Sequence, residues 1–189
     1  MNEVQAGLIQ EAGATTSGMI PLRALRDPMV RSMLDYWQSK CGQDGRRLPR
    51  PADMDPVDFR QHLPSIAILQ VDYDPIELTY RLVGEEVNAC IGVACRGRTV
   101  RSLDAEHKAY GSMLHELYTW IALNARPVAL RGDLNFLGRK YRGFEAVNLP
   151  LSDSGERTER LMVVTAFNVS IPDLPAEPAI RPKPVLFNL

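Results

Sequence analysis

The sequence lacks any apolar run near the roughly 20 residues that span a bilayer, so it gives no reason to place the chain in a membrane. It also lacks an excess of either charge: 22 Lys and Arg stand against 23 Asp and Glu, a formal net charge of -1. Nothing in that balance attracts nucleic acid or an anionic lipid surface. Cysteine is scarce. Cys41, Cys90 and Cys95 are odd in number and follow no framework spacing, which argues against a disulfide-stapled secreted domain. The opening residues, MNEVQAGLIQEAGATTSG, have neither the basic nor the continuous apolar region of a secretory leader. A cytoplasmic location is the expectation. No internal repeat is visible.

What is present is an ordinary globular composition, 45% hydrophobic over 189 residues, enough for one domain with extensions. Residues 1–21 are small, polar and without periodicity, and read as a mobile arm. Asp27-Pro28 then supplies an N-cap followed by proline at the first helical position. Val30, Met33, Leu34, Trp37 and Cys41 recur at helical spacing, so 28–41 is predicted as an amphipathic helix. Asp55-Pro56 with Asp58 repeats the signal and predicts a short helix over 56–62, stopped by Pro64. Residues 22–63 thus form an N-terminal helical flank.

Residues 64–170 carry the main domain. SIAILQV (65–71) and IELTYRLV (76–83) read as two strands of a hairpin joined by DYDP. In the second, strict alternation puts Leu78, Tyr80 and Leu82 on one face. GEEVNACIG (84–92) reads as a helical turn or two, with acidic residues at its start and Gly92 after its end. VACRGRTV (93–100) is irregular. The longest helix is predicted at 105–125, with Tyr110, Met113, Leu114, Leu117 and Ile121 in one stripe. Strands at 127–134, 141–151 and 158–169 follow, with NFLGRK (135–140) and SDSGER (152–157) as turns. Residues 171–189 hold five prolines and read as an extended tail, whose VLFNL suits an apolar groove.

This order is an α+β layout: a five-stranded antiparallel sheet with helices on one face, plus N-terminal flanking helices. The segments LRDPMVRSMLDYWQSK, RRLPRPADMDPVDF, LPSIAILQVDYDPIELTYRLVGEEVNACIG, ARPV and LPLSDSG, in that order, resemble a bacterial, alphaproteobacterial-type family of single PAS-domain proteins. The resemblance covers residues 22–168. It implies a PAS-like fold and a signalling module, which binds a small ligand between sheet and helices, dimerises, or docks partner proteins. No kinase, cyclase or DNA-binding segment is visible, so output is expected through unidentified signalling proteins, with no nucleic acid or membrane involved.

Each residue with chemical potential also has a plainer role. His115-Glu116 opens a zinc-protease motif, but Thr119 stands where the second histidine is required, so no metal site is expected. Haem-binding PAS domains use a histidine in the helix that would carry His107 and His115, yet histidines on a charged helical face are usually solvated, which disfavours haem. Cys90 and Cys95 lack a second pair or a nearby base, and read as small apolar residues. GRTVRSL (97–103) occupies the place of the flavin-adduct motif of light-sensing PAS domains. It carries Val100 where the cysteine is needed, so flavin–cysteinyl photochemistry is not expected. Arg96, Arg98 and Arg101 either hold an anion or form local ion pairs. No catalytic set is complete, and the chain is read as a non-enzyme.

Pocket candidates are Tyr80, Leu82, Val87, Ile91, Tyr110, Met113, Leu117, Phe144 and Val147. Val30, Met33, Leu34 and Trp37 are candidates for a homodimer interface, or for capping the chain's own sheet. Three functions stay open: a cytoplasmic sensor that binds a ligand or partners, a ligand-free scaffold with the same fold, and a small thiol- or metal-dependent enzyme.

Overall fold

The computed structural model describes residues 18–42, 47–134, 143–155 and 157–167. Most of the expected arm, the turn at 135–140 and the proline-rich tail at 171–189 lie outside them. The described elements are β1 (Gly18–Ile20), α1 (Pro28–Lys40), β2 (Ile66–Asp72), β3 (Glu77–Val83), α2 (Glu85–Ile91), α3 (Tyr110–Asn124), β4 (Val128–Asp133), β5 (Gly143–Leu151) and β6 (Arg160–Phe167), with short 3-10 turns between them.

The strands form one antiparallel sheet in the order β1-β4-β5-β6-β2-β3. Five of them are the expected five. The sixth, β1, comes from the stretch expected as an arm and pairs with β4, Gly18 opposite Arg131. Three residues of GMI carry no legible strand pattern of their own. They are placed by the open edge of β4.

The sheet buries both faces, because helices cover each. On one face α3 and α2 close over Ala67, Leu69, Leu78, Tyr80, Leu161 and Val163. On the other, α1 lies over Val147, Leu149, Met162 and Val164. The layout therefore extends the expected one-sided arrangement: the flanking helix is a second layer. Alternation along each strand feeds the two layers in turn, as in β6, where Leu161 and Val163 face α3 while Met162 and Val164 face α1.

Local chemistry explains the boundaries. Asp27 caps α1 by accepting hydrogen bonds from the Met29 and Val30 amides at 2.9 and 3.1 Å, and Pro28 sits at the first turn. Gly92 ends α2 in the left-handed conformation at φ 88°. The short helix expected at 56–62 is instead a turn followed by a 3-10 stretch, Arg60–Ser65, that contains Pro64. A short 3-10 stretch, with its poorer hydrogen bonds, loses less than an α-helix when a proline withholds its N–H. The long helix starts at Tyr110, not 105; before it runs a 3-10 turn, Arg101–Ala105, and Ala109 lies at φ 64°.

Candidate functional site

The layer between α3 and the sheet buries several polar groups. Tyr80 enters from β3, Tyr110 and Tyr118 from α3, and Cys95 from the irregular segment after α2. Burial first, and then their nearness to one another and to Cys95, pushes the Tyr80 phenol well above its ordinary range. Tyr110 is raised well above it too, by burial and then by Tyr118, Cys90 and Cys95. Tyr118 is raised by burial and Cys95. All three phenols are therefore neutral hydrogen-bonding groups at any physiological pH.

Asn148 of β5 faces the same layer. Its register partners, Val128 of β4 and Val163 of β6, both belong to the α3-side core. Asn148 is fully buried and its amide donates to the Val128 carbonyl at 3.1 Å. Its Oδ1 is buried without a hydrogen-bond partner among the described residues. Such an orphaned acceptor in a native core calls for an explanation.

Of the nine pocket candidates, the structure gathers Tyr80, Val87 and Ile91 in this core and packs Tyr110, Met113 and Leu117 against it. Phe144 packs beside it, against Cys90 and Leu134. Leu82 and Val147 are on the other face. Val147 belongs to the α1-side core by its position in β5. Leu82 is displaced by a bulge: Ile68 pairs with Leu82 but Leu69 pairs with Tyr80, so Arg81 is an extra residue that reverses the alternation. The expected shared face of Leu78, Tyr80 and Leu82 breaks at that point. The α3 stripe is also rotated by one position. Gly111, Leu114, His115, Tyr118, Ile121 and Ala122 are its buried residues, while Tyr110, Met113 and Leu117 flank them. Tyr118 and Asn148 were missed by the sequence reading. Tyr118 was legible at spacings of 3, 4 and 7 from its neighbours; a lone asparagine in a strand gave no signal.

The four interface candidates are laid on the chain's own sheet. Val30, Met33, Leu34 and Trp37 are 0, 1, 6 and 5% exposed, and Trp37 Nε1 donates to the Pro150 carbonyl at 2.9 Å. Burying four such side chains is worth about 1.5–3 kcal/mol each before entropy. A buried charge locks the start of the helix. Glu145, fully buried in β5, accepts from the Arg26 and Asp27 amides at 2.7 Å each and from Arg131 Nε at 2.8 Å. Arg131 also donates to the Ala24 carbonyl.

The reactive-looking residues have structural partners. His115 is buried, not solvated, and its Nε2 donates to the Ile76 carbonyl at 3.1 Å. Burial and the nearby Arg101 hold its pKa below the ordinary value. His107 donates to the Ile91 carbonyl at 2.6 Å and meets the Tyr110 ring edge-on. Burial pushes the Cys95 thiol up to about 11, far from the thiolate form that nucleophiles need. Arg98 pairs with Glu106 through two 2.9 Å hydrogen bonds and caps the Ser102 carbonyl, which is the local ion-pair role. Among the described residues no group of three or more His, Cys, Asp or Glu is placed to hold a metal ion, and no helix is long and apolar enough to cross a membrane.

A second feature lies on the α1 face, past the reach of α1. A cleft of about 460 Å³ opens over the β2–β3 end of the sheet, floored by Ile66, Ile68, Leu82 and Met162 and walled by Met54, Phe59 and Leu63. Leu82 is 41% exposed there.

No curated protein and no solved structure matches the chain. The sequence model of one family does: that of the PAS domain matches residues 25–164, more than half of the chain, and so takes in α1 and the strands β2 to β5 with the first part of β6.

Proposed function

This chain belongs to the PAS domain family, and from that premise we propose that it is a non-catalytic sensory module that takes a small ligand into the α3-side layer and signals through partner proteins. The observation that carries the ligand is the fully buried Asn148, whose Oδ1 lacks a partner on the face shared with Tyr80, Tyr110 and Tyr118. A compact, largely apolar molecule with one hydrogen-bond donor suits that environment. Native mass spectrometry of the purified chain tests it. The expected result is an adduct of small mass that leaves on denaturation and whose occupancy falls in Asn148→Leu. A bare chain at every preparation, with Asn148→Leu unchanged in behaviour, removes the ligand.

A second reading, a ligand-free scaffold, is favoured by the packing of the same layer. Leu69, Leu78, Val100, Leu103, Ile121 and Leu161 are each 0% exposed. In that reading all output is through docking. A homodimer that uses Val30, Met33, Leu34 and Trp37 requires α1 to leave the sheet, because those side chains are covered in the chain itself. Sedimentation of the full chain and of a chain lacking residues 1–42 tests this: a dimer lost on truncation supports it, and a monomer in both overturns it.

A further inference from the structure

We propose that the cleft over the β2–β3 end of the sheet is a docking groove filled in cis by the chain's own apolar segment Val185–Leu189, which competes with outside peptides for it. The groove is built to be covered. Of its lining residues only Asp55 and Arg160 are charged. Its floor includes Leu82, turned out of the α3-side layer by the extra residue Arg81 and left 41% exposed. Apolar surface rimmed by polar residues marks an interaction site. Its volume, about 460 Å³, is in the range that takes a few apolar side chains.

Three observations select the occupant. Residues 168–189 follow β6, and β6 lines the groove through Arg160 and Met162. Running back from Phe167 to Met162 takes about 17 Å at strand spacing. The residues between Phe167 and Val185 reach about 55 Å when extended in the polyproline manner, so the segment arrives with slack. The five prolines at 172, 175, 178, 182 and 184 keep this stretch from pairing as a central strand, and suit it to lie in a groove. Charge gives a local match: Arg181 and Lys183 precede VLFNL, and Asp55, with Asp58 close to it in the chain, is exposed at the wall, although Arg160 balances Asp55 within the lining itself.

Fluorescence anisotropy with a labelled peptide of residues 181–189 tests this. The peptide is titrated into the full chain, a chain truncated after Ile180, the full chain carrying Leu186→Ser and Phe187→Ser, and the truncated chain carrying Leu82→Lys. A tether supplies an effective concentration on the order of 1 mM, so a peptide with Kd near 0.1 mM binds the full chain about tenfold more weakly than the truncated one. The expected order is therefore tight binding to the truncated and the double-serine chains, weak binding to the full chain, and at least tenfold loss in Leu82→Lys. The two tail changes lie outside the described residues and leave the groove's own lining untouched, so they test the idea even if Leu82→Lys perturbs folding. Equal binding to full and truncated chains, or no effect of Leu82→Lys in a folded protein, overturns it. So does a full chain that sediments as a tail-dependent dimer, since the occupant is then a second copy.

Discussion

Replacing Arg131 by methionine should be among the most damaging changes to a side chain that reaches the surface. Glu145 is fully buried and Arg131 is 15% exposed, so their pair is shielded from water. Removing the guanidinium leaves a buried carboxylate without its counter-charge, and breaking such a pair costs about 3–5 kcal/mol. Swapping both partners for apolar residues is often neutral, but not in this protein. Glu145 Oε1 also serves the Arg26 and Asp27 amides, which the double variant Arg131→Met, Glu145→Met strips of an acceptor. Arg26 is exposed and Asp27 half-buried, so about 1 kcal/mol each, or about 2 kcal/mol in total, is expected. The double variant should thus be more stable than the single one. Urea unfolding followed by far-UV circular dichroism measures this. With a slope near 2 kcal/mol/M, the single change lowers the midpoint by about 1.5–2.5 M and the double by about 1 M. A single-variant cost below about 1 kcal/mol, or a double variant worse than the single, refutes the reading of Glu145 as a charge held in place by Arg131.

Gly84→Ala should destabilise by about 1–3 kcal/mol, because an added Cβ runs into the Leu63 and Pro64 carbonyl oxygens; a thermal melt equal to the parent contradicts the close approach. Cys95, buried and with its thiol pushed up to about 11, should resist iodoacetamide at pH 8 in the folded chain and react once unfolded; rapid native labelling, read by peptide mass, counts against the buried site. The folded-state pKa of His115 lies below the ordinary 6.5, so the unfolded chain binds its proton first and stability falls as pH drops below 6.5. His115→Gln should flatten the slope of unfolding free energy between pH 7.5 and 5.5, by at most about 1.4 kcal/mol per pH unit. An unchanged slope would mean that the burial of the ring is not what depresses its pKa. The depressed carboxylates Asp53, Glu106 and Glu159 act only at lower pH, below about 4.5, and do not mask the effect.

Elements that carry their own local chemistry were legible. The Asp27-Pro28 cap, the hairpin at 65–83, Gly92 and the three closing strands sit within a few residues of where the pattern places them. What was hidden depends on partners far away in sequence. The strand Gly18–Ile20 exists because β4 offers an edge. The rotation of the α3 stripe follows from which residues the sheet meets: Tyr118 and His115 turn inward and Leu117 turns aside. The bulge at Arg81 inserts no glycine or proline and leaves the apolar alternation intact, so only pairing with β2 shows it. The role of Glu145 was illegible for a similar reason. A glutamate in a strand reads as solvent-facing until the chain that folds over it supplies two amides and a guanidinium.

The bulge at Arg81 makes the two layers a coupled partition of one set of side chains. Before it, β3 sends Leu78 and Tyr80 toward α3; after it, Leu82 goes to the cleft and Val83 to α3. Deleting this single residue would leave both where they are, because Leu82 already pairs with Ile68 and Val83 with Ala67; it would only straighten the ladder. Closing the bulge by a one-residue slip, with Arg81 kept and paired, would exchange the last two, placing a leucine where the inner layer now holds a valine and a valine on the cleft floor. The capacity of the inner layer and the depth of the outer groove are therefore not independent properties that evolution or an engineer can tune one at a time. Both are read from the register of the same strand.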